Sequence, residues 1–214
     1  YVQATDIAYI SDKLAQLKNL KHLSLRKNNL VALPQSIGRL KKLEYLNLDN
    51  TNLYKFPQFI GQLTYLSELH LDENQLTELP EAIGNLQYLK ILSLDKNQLA
   101  TLPQSIGNCT NLQKIVLDEN NIQTLPASFA NLVRLDKLRL LNNKLTVLPP
   151  SLLALSRLTT LYIGGNPIYH LPNLADYFPR LHTLNLANLC LHELPFWVSK
   201  LPEMYNLSLE NNLL

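Results

Sequence analysis

A unit of 23 residues recurs along this chain without an insertion or a deletion, and this strict period is the feature that most limits its fold. The unit has the pattern LxxLxLxxNxLxxLPxxIGxLxx, and residues 66–88 follow it closely as LSELHLDENQLTELPEAIGNLQY. Its first position falls at Leu20, Leu43, Leu66, Leu89, Leu112, Leu135, Leu158, Leu181 and Met204. A sustained period of this length is typical of solenoids, in which each unit packs mainly on its two neighbours.

Each recurrent position of the unit has a physical role. The spacing of Leu23 and Leu25 places both on one face of a short strand and turns Ser24 to the other face. The recurrent Asn can satisfy backbone groups of adjacent coils that would otherwise be buried without a partner. The recurrent Pro fixes φ and begins the return of the coil. The pattern therefore predicts nine or ten short parallel strands on one face and irregular or single-turn helical segments on the other.

The motif LxxLxLxxNxLxxLPxxIGxL resembles the leucine-rich-repeat superfamily over essentially the whole chain. Its LPxxIGxL half is similar to the 23-residue class found in bacterial leucine-rich-repeat proteins, Roco proteins, the Ras suppressor and plant intracellular Ras-group proteins. The resemblance implies an α/β fold: a right-handed solenoid with a parallel β-sheet on its concave face and an irregular or short-helical convex face. It implies a scaffold for interaction, because a fold of this kind does not itself assign a function.

The period also predicts the organisation of the chain. We expect a single domain over residues 1–214, with eight 23-residue repeats over 20–203 and a truncated ninth over 204–214. From this truncation we infer that the native protein continues further. Residues 1–19 form either a degenerate first repeat or an amphipathic helical cap over 7–17, because their apolar spacing fits both.

Sequence motifs for catalysis are absent. The chain has no phosphate loop, nucleophile elbow or HExxH motif, so we expect no catalytic residue, cofactor or metal and no enzymatic activity of its own. His170, His192 and Cys190 fall near one another in adjacent repeats, but no carboxylate or second cysteine completes a zinc ligand set.

Charge and cysteine usage limit the partners and the compartment. The 19 basic and 17 acidic residues give a net charge of +2, which predicts neither nucleic-acid nor membrane binding. Cys109 takes the place of a core leucine, and Cys190 lies four coils away, too far for a disulfide. The family's extracellular members usually carry cysteine-clustered caps, which this sequence lacks. We therefore expect a cytoplasmic protein, with secretion into a host cell as the open alternative.

Alternation along the strands predicts a set of side chains on the concave face that can bind a partner. Four aspartates follow one another in successive coils, about 4.8 Å apart: Asp49, Asp72, Asp95 and Asp118. An aromatic, apolar and basic group lies around them: Tyr45, His70, Lys114, Lys137, Arg139, Leu141 and Tyr162. This set predicts a protein or peptide partner with a basic segment. The alternative is that aspartate is simply the usual residue at this slot of the family's repeats.

Two functions agree with these features. The first is a protein–protein interaction module. The second is the recognition or sensor half of a larger multidomain enzyme or secreted bacterial effector, such as a Roco-type GTPase, whose catalytic part lies outside this chain. The Phe196–Trp197 pair is a competing docking site, because we expect it to be an exposed apolar patch on the convex side.

One repeat departs from the asparagine pattern. Leu189 occupies the Asn position of the eighth repeat, which predicts an interrupted asparagine ladder with waters or other side chains covering the backbone. On this view Leu189→Asn raises the midpoint of unfolding or leaves it unchanged.

Overall fold

One nine-stranded parallel sheet organises the computed structural model, which describes residues 8–30, 32–201 and 203–214. The strands pair in chain order, and neighbouring strands are offset by one unit, so that Leu46 lies opposite Leu69. They are β1 His22–Ser24, β2 Tyr45–Asn47, β3 Glu68–His70, β4 Ile91–Ser93, β5 Lys114–Val116, β6 Lys137–Arg139, β7 Thr160–Tyr162, β8 Thr183–Asn185 and β9 Asn206–Ser208. The predicted parallel solenoid, with one short strand per unit, is confirmed.

Short helical turns form the opposite, convex side. One is an α-helical turn, α1, at Pro150–Leu153; the others are 3-10 turns at Asp12–Gln16, Gln35–Arg39, Gln58–Gln62, Glu81–Asn85, Gln104–Asn108, Ala127–Asn131, Leu174–Asp176 and Phe196–Lys200. The recurrent proline sets their start, because Pro103 lies in an extended conformation immediately before Gln104. In the seventh repeat the turn begins two residues after Pro172, and the side chain of Asn173 caps it by accepting a hydrogen bond from the N–H of Ala175 at 3.2 Å.

The leucines of successive units form one continuous core between sheet and turns. Leu66, Leu69 and Leu71, for example, are completely buried. Cys109 is buried at a leucine position, as predicted, and burial raises the pKa of its thiol to about 12. In the last coil Leu207 is only half-buried, because its strand, β9, has a neighbour on one side alone among the described residues.

Buried asparagines tie consecutive coils together. The Oδ1 of Asn97 accepts from the N–H of Leu76 at 3.0 Å, and its Nδ2 donates to the carbonyls of Leu71 and Leu94 at 2.9 and 3.1 Å. One side chain thus satisfies backbone groups of two neighbouring coils that are shielded from water. This arrangement recurs at Asn74, Asn120 and Asn166 and explains why the position is usually Asn.

The row of inward-pointing asparagines is interrupted at Leu189, as the sequence predicts. One backbone group left without its asparagine partner is satisfied by another backbone group. The N–H of Ile168, which an Asn in place of Leu189 would bind, donates instead to the carbonyl of Asn166 at 2.8 Å. No added side chain is needed there. Leu189 is 5% exposed and packs within the core. The side chains of Asn166 and Asn212 bind the carbonyls of Ile163 and Leu186, as the sequence suggests for this break, while the effect of Leu189→Asn stays a prediction.

The beginning of the described chain follows the path of a repeat. Tyr9 forms a parallel bridge with Ala32, one unit further on. The side chain of Ser11 caps the turn Asp12–Gln16 at the position that proline occupies in other units. Over residues 8–19 these features favour the degenerate repeat over a helical cap, while residues 1–7 lie outside the described residues.

The Phe196–Trp197 pair is split between surface and core. Phe196 is 71% exposed, but Trp197 is 3% exposed and belongs to the hydrophobic core. Trp197 occupies the slot of the buried Phe59 in an earlier repeat, where the turn points the side chain inward. The predicted exposed patch is therefore wrong for Trp197.

Candidate partner-binding face

The exposed side of the sheet, here called the concave face, carries the residues that the sequence predicts. The middle residue of each strand points into the core, as Leu69 does, and the two flanking residues point outward. Tyr45, His70, Lys114, Lys137, Arg139 and Tyr162 occupy such flanking positions. Asp49, Asp72, Asp95, Asp118 and Leu141 each lie two residues beyond a strand. The whole predicted set is thus brought onto one face.

Most of the aspartates are engaged with the backbone of the next coil. The Oδ1 of Asp49 accepts from the N–H of Asp72, and the Oδ1 of Asp72 accepts from the N–H of Asp95, both at 2.8 Å. Asp118 binds the N–H of Leu141 in the same way, also at 2.8 Å. These aspartates therefore have a structural role, since each satisfies a backbone donor at the end of a strand.

Asp95 is the exception in this row. Within the described ranges its half-buried carboxylate accepts no hydrogen bond. Burial raises the pKa of Asp95 to about 6, and the negative charges of Asp72, Asp118 and Glu119 add to the effect. Asp95 is consequently the carboxylate in this row that a cation from outside can stabilise most.

Asp118 differs from the open acidic group that the sequence suggests. It is 3% exposed, and its Oδ2 accepts from the Nη2 and Nε of Arg139 at 2.5 and 2.6 Å. The Cζ of Arg139 lies 4.9 Å from the centre of the Tyr162 ring, a cation–π contact. Burial raises the pKa of Asp118, while the N–H of Leu141 and the guanidinium oppose this. Asp118 therefore fixes Arg139 and leaves little carboxylate surface for a partner.

An aromatic row covers the beginning of the concave face. The ring centres of His22 and Tyr45 are 5.8 Å apart and stacked, and those of Tyr45 and His70 are 5.3 Å apart. His70 Nε2 lies 3.5 Å from the Oε2 of Glu68. His22 and Glu68 are absent from the predicted set, although strand alternation alone places them in the same columns.

Positive charge follows this acidic and aromatic part. Lys114 is half-buried and Lys137 is exposed, and neither forms an ion pair within the described residues. Val116, which the sequence suggests as part of an apolar zone, is almost fully buried. The concave face thus changes from acidic and aromatic over β2–β4 to basic over β5 and β6, with a small apolar component.

Catalytic and metal-binding geometry is not evident in the described ranges. No three His, Cys, Asp or Glu side chains converge there as metal ligands. His170, Cys190 and His192 are exposed around one shallow depression on the outgoing loops. In the same ranges the helical turns are all too short to cross a membrane.

A family model described as "Leucine-rich repeat region" matches residues 3–77 and 69–163. Among solved structures, a leucine-rich-repeat protein of Leptospira interrogans is 34% identical with a TM-score of 0.77. The match covers 95% of this chain and 58% of that one. No curated protein matches the chain significantly.

Two plant receptors are also similar. The plant peptide hormone receptor RGFR1, in complex with RGF2, is 29% identical with a TM-score of 0.76, over 95% of this chain and 34% of that one. The ectodomain of GASSHO1/SCHENGEN3 from Arabidopsis thaliana, in complex with CASPARIAN STRIP INTEGRITY FACTOR 2, is 29% identical with a TM-score of 0.70, over 93% and 28%. The chain thus spans less than two thirds of each of these proteins.

Proposed function

Because this chain belongs to the leucine-rich-repeat family, we propose that it is an interaction module that binds an extended protein or peptide segment on its concave face. Two structurally similar receptors were solved with the ligands RGF2 and CASPARIAN STRIP INTEGRITY FACTOR 2. Their likeness supports a ligand of this class. The properties of the bound segment are inferred from the residues on the concave face of this chain.

The unpaired carboxylate of Asp95 carries the proposal. Its neighbours Asp49, Asp72 and Asp118 hold backbone donors, whereas Asp95 holds none in the described residues. A lysine or arginine of the ligand compensates this charge and removes the cost of ionising a half-buried group. Such a charge speeds association and selects the partner more than it adds affinity.

Groups on both sides of Asp95 extend the contact. The aromatic row His22–Tyr45–His70 offers a flat surface for an apolar or aromatic side chain of the ligand. On the other side Lys114 and Lys137 are available to a carboxylate or carbonyl of the ligand. Tyr162 and Leu141 lie beyond them, and their burial by the ligand slows dissociation. Asp118 acts by holding Arg139 in place.

The same module can serve as the recognition part of a larger multidomain enzyme or a secreted bacterial effector. The likeness to a longer Leptospira protein, of which the chain spans 58%, supports this second proposal. The concave binding mode is the same in both cases.

Peptide selection tests the proposed function. A phage-displayed library of random twelve-residue peptides is selected on the immobilised chain, and enriched peptides are synthesised with a fluorescent label. We expect lysine or arginine in the enriched peptides. Asp95→Asn is expected to weaken their binding about fivefold and Tyr45→Ala about tenfold, the size of moderate interface contacts.

Two further variants separate the concave face from the rest of the molecule. Asp72→Lys combined with Asp95→Lys is expected to abolish binding, and Phe196→Ala on the convex side to leave it unchanged. If Phe196→Ala weakens binding while the concave variants do not, the interface lies on the convex side and the proposal is wrong.

A further inference from the structure

A second exposed row of side chains runs along the edge at which the chain enters the sheet. It consists of the residue immediately before the first leucine of each unit. From Tyr65 onward these residues are Tyr65, Tyr88, Asn111, Arg134, Arg157 and Arg180. All are exposed except Asn111, which is half-buried. We call this row the Tyr–Arg ridge.

Contacts between successive coils make the ridge continuous. The rings of Tyr65 and Tyr88 stack with their centres 5.4 Å apart, and the two residues are 59% and 56% exposed. The Nη1 of Arg134 donates to the Oδ1 of Asn111 at 2.5 Å. Residues that are 23 positions apart in sequence are therefore side by side along this edge.

The positive end of the ridge is not neutralised. Neither Arg134, Arg157 nor Arg180 forms an ion pair within the described residues. Asp136, the nearest acidic residue in sequence to Arg134, hydrogen-bonds to Thr159 instead. Glu203 occupies the ridge position of the next unit and is exposed. Three arginines thus occupy successive coils, whose backbones are about 4.8 Å apart, and one acidic residue follows at the end of the row.

We propose that the Tyr–Arg ridge is a second interaction surface, which binds an acidic, extended segment of a partner protein. Guanidinium groups bind carboxylates through paired N–H donors, and arginine and tyrosine are enriched among the residues that contribute most to interfaces. The stacked tyrosines receive apolar side chains of the same segment. This surface lies outside the concave face, and the inference does not depend on the proposed function.

The dimensions of the ridge fit a short peptide. Five coil steps separate Tyr65 from Arg180, about 24 Å at the spacing of parallel strands. An extended segment of seven or eight residues covers this distance at about 3.3 Å per residue. Its acidic end would lie over the arginines, and its apolar end over the tyrosines.

The limited extent of positive charge favours an acidic peptide over a nucleic acid. The arginine row extends over about 10 Å at the spacing of the coils, and the whole chain has a net charge of only +2. A nucleic acid requires a longer basic surface, because its affinity comes mainly from neutralising many phosphates.

Fluorescence anisotropy with a defined probe tests the inference. The probe is a fluorescein-labelled ten-residue peptide with three glutamates at alternate positions, followed by two leucines. We expect the probe to bind the full chain at low salt, and we expect its affinity to fall as salt is added. The triple variant Arg134→Ala, Arg157→Ala and Arg180→Ala is expected to bind at least about tenfold more weakly, the combined effect of three modest charge pairs.

A charge-matched control distinguishes a specific surface from general attraction. The triple variant Lys18→Ala, Lys55→Ala and Lys144→Ala removes the same charge from dispersed exposed positions. Its affinity for the probe is expected to stay within about twofold of the unmodified chain, because exposed charges at a distance are screened. Equal losses in the two triple variants would overturn the inference.

The tyrosine end and the class of ligand are tested separately. The double variant Tyr65→Ala and Tyr88→Ala is expected to bind the probe about fivefold more weakly. The salt dependence of this binding is expected to stay the same. Loss of binding in Lys114→Ala with Lys137→Ala, but not in the arginine variant, would move the site to the concave face. Tighter binding of a ten-nucleotide oligothymidylate than of the peptide would make the ligand a nucleic acid. Either result contradicts the proposal.

Discussion

The backbone N–H of Asp95 donates a hydrogen bond to the Oδ1 of Asp72, which lies one coil earlier and 2.8 Å away. The same bond links Asp72 to Asp49. Asp49 and Asp72 are tolerated in successive coils because each carboxylate satisfies a backbone donor of the next coil. The row of bonds is interrupted at Asp95 and resumes at Asp118. The carboxylate of Asp95 receives no such bond in the described residues, and its pKa is raised to about 6.

Asp95 makes the stability of the chain depend on pH. Its folded pKa of about 6 exceeds the ordinary value of 3.8, so the folded state holds a proton more tightly than the unfolded state. The contribution of Asp95 to stability is therefore highest below about pH 4 and declines as pH rises through about 6. Asp95→Asn is expected to raise the free energy of unfolding at pH 7 by about 1 kcal/mol or less, because a half-exposed group is partly screened.

Urea unfolding at pH 4.5 and pH 7 measures this effect. The increase in the free energy of unfolding caused by Asp95→Asn should be larger at pH 7 than at pH 4.5. The exposed Glu78→Gln serves as a control and is expected to leave the pH dependence unchanged. An equal gain at both pH values would show that the charge of Asp95 is not the cause.

Asn97 is expected to be among the most sensitive polar positions. Asn97→Ala removes the partner of the Leu76 N–H and of the Leu71 and Leu94 carbonyls. Unsatisfied buried groups cost about 1–3 kcal/mol each, so we expect a total loss of about 2–4 kcal/mol. Asn121→Ala makes the same substitution at an exposed asparagine and should alter the free energy of unfolding by less than about 0.5 kcal/mol. Chemical unfolding of both variants compares them directly.

Leu189→Asn is expected to destabilise the protein, in contrast to the expectation from sequence. Asn166 already provides an acceptor for Ile168 and a donor for the carbonyl of Ile163 at 2.8 Å. The new amide therefore has few partners, and the core loses an apolar side chain, at a cost of about 2 kcal/mol. Leu189→Met keeps the volume and should cost less than about 1.5 kcal/mol. A higher unfolding midpoint for the asparagine variant would restore the original expectation.

Two glycines at the same position of their repeats are expected to respond differently to alanine. A Cβ at Gly107 would meet the backbone oxygen of Ser128 and lie 2.7 Å from its Cβ, atoms that cannot move without shifting the next coil. A Cβ at Gly38 would meet the end of the flexible Gln62 side chain at 2.7 Å. We expect Gly107→Ala to cost about 1–3 kcal/mol and Gly38→Ala clearly less. Thermal unfolding measures both variants, and equal losses of stability in Gly107→Ala and Gly38→Ala would contradict this expectation.

The period of the sequence was sufficient to predict the solenoid. A 23-residue step fixes the slot of every residue in its coil, and strand alternation then separates core from surface. For this reason the parallel sheet, the burial of Cys109 and the position of Tyr45, Asp72 and Arg139 on one face follow from the sequence. The break of the ladder at Leu189 follows from it as well.

The tertiary structure decided how neighbouring slots are connected. Asp118 and Arg139 are 21 residues apart and form an ion pair in which the carboxylate is buried. Asp95 occupies the same slot as Asp118 but has no hydrogen-bond partner in the described residues. Likewise, Trp197 is buried although its sequence neighbour Phe196 is exposed. A repeat pattern specifies the slot, but a hydrogen bond requires two atoms to meet within about 3 Å at a favourable angle. That condition depends on the backbone and side-chain rotamers of two adjacent coils, which only the folded stack determines.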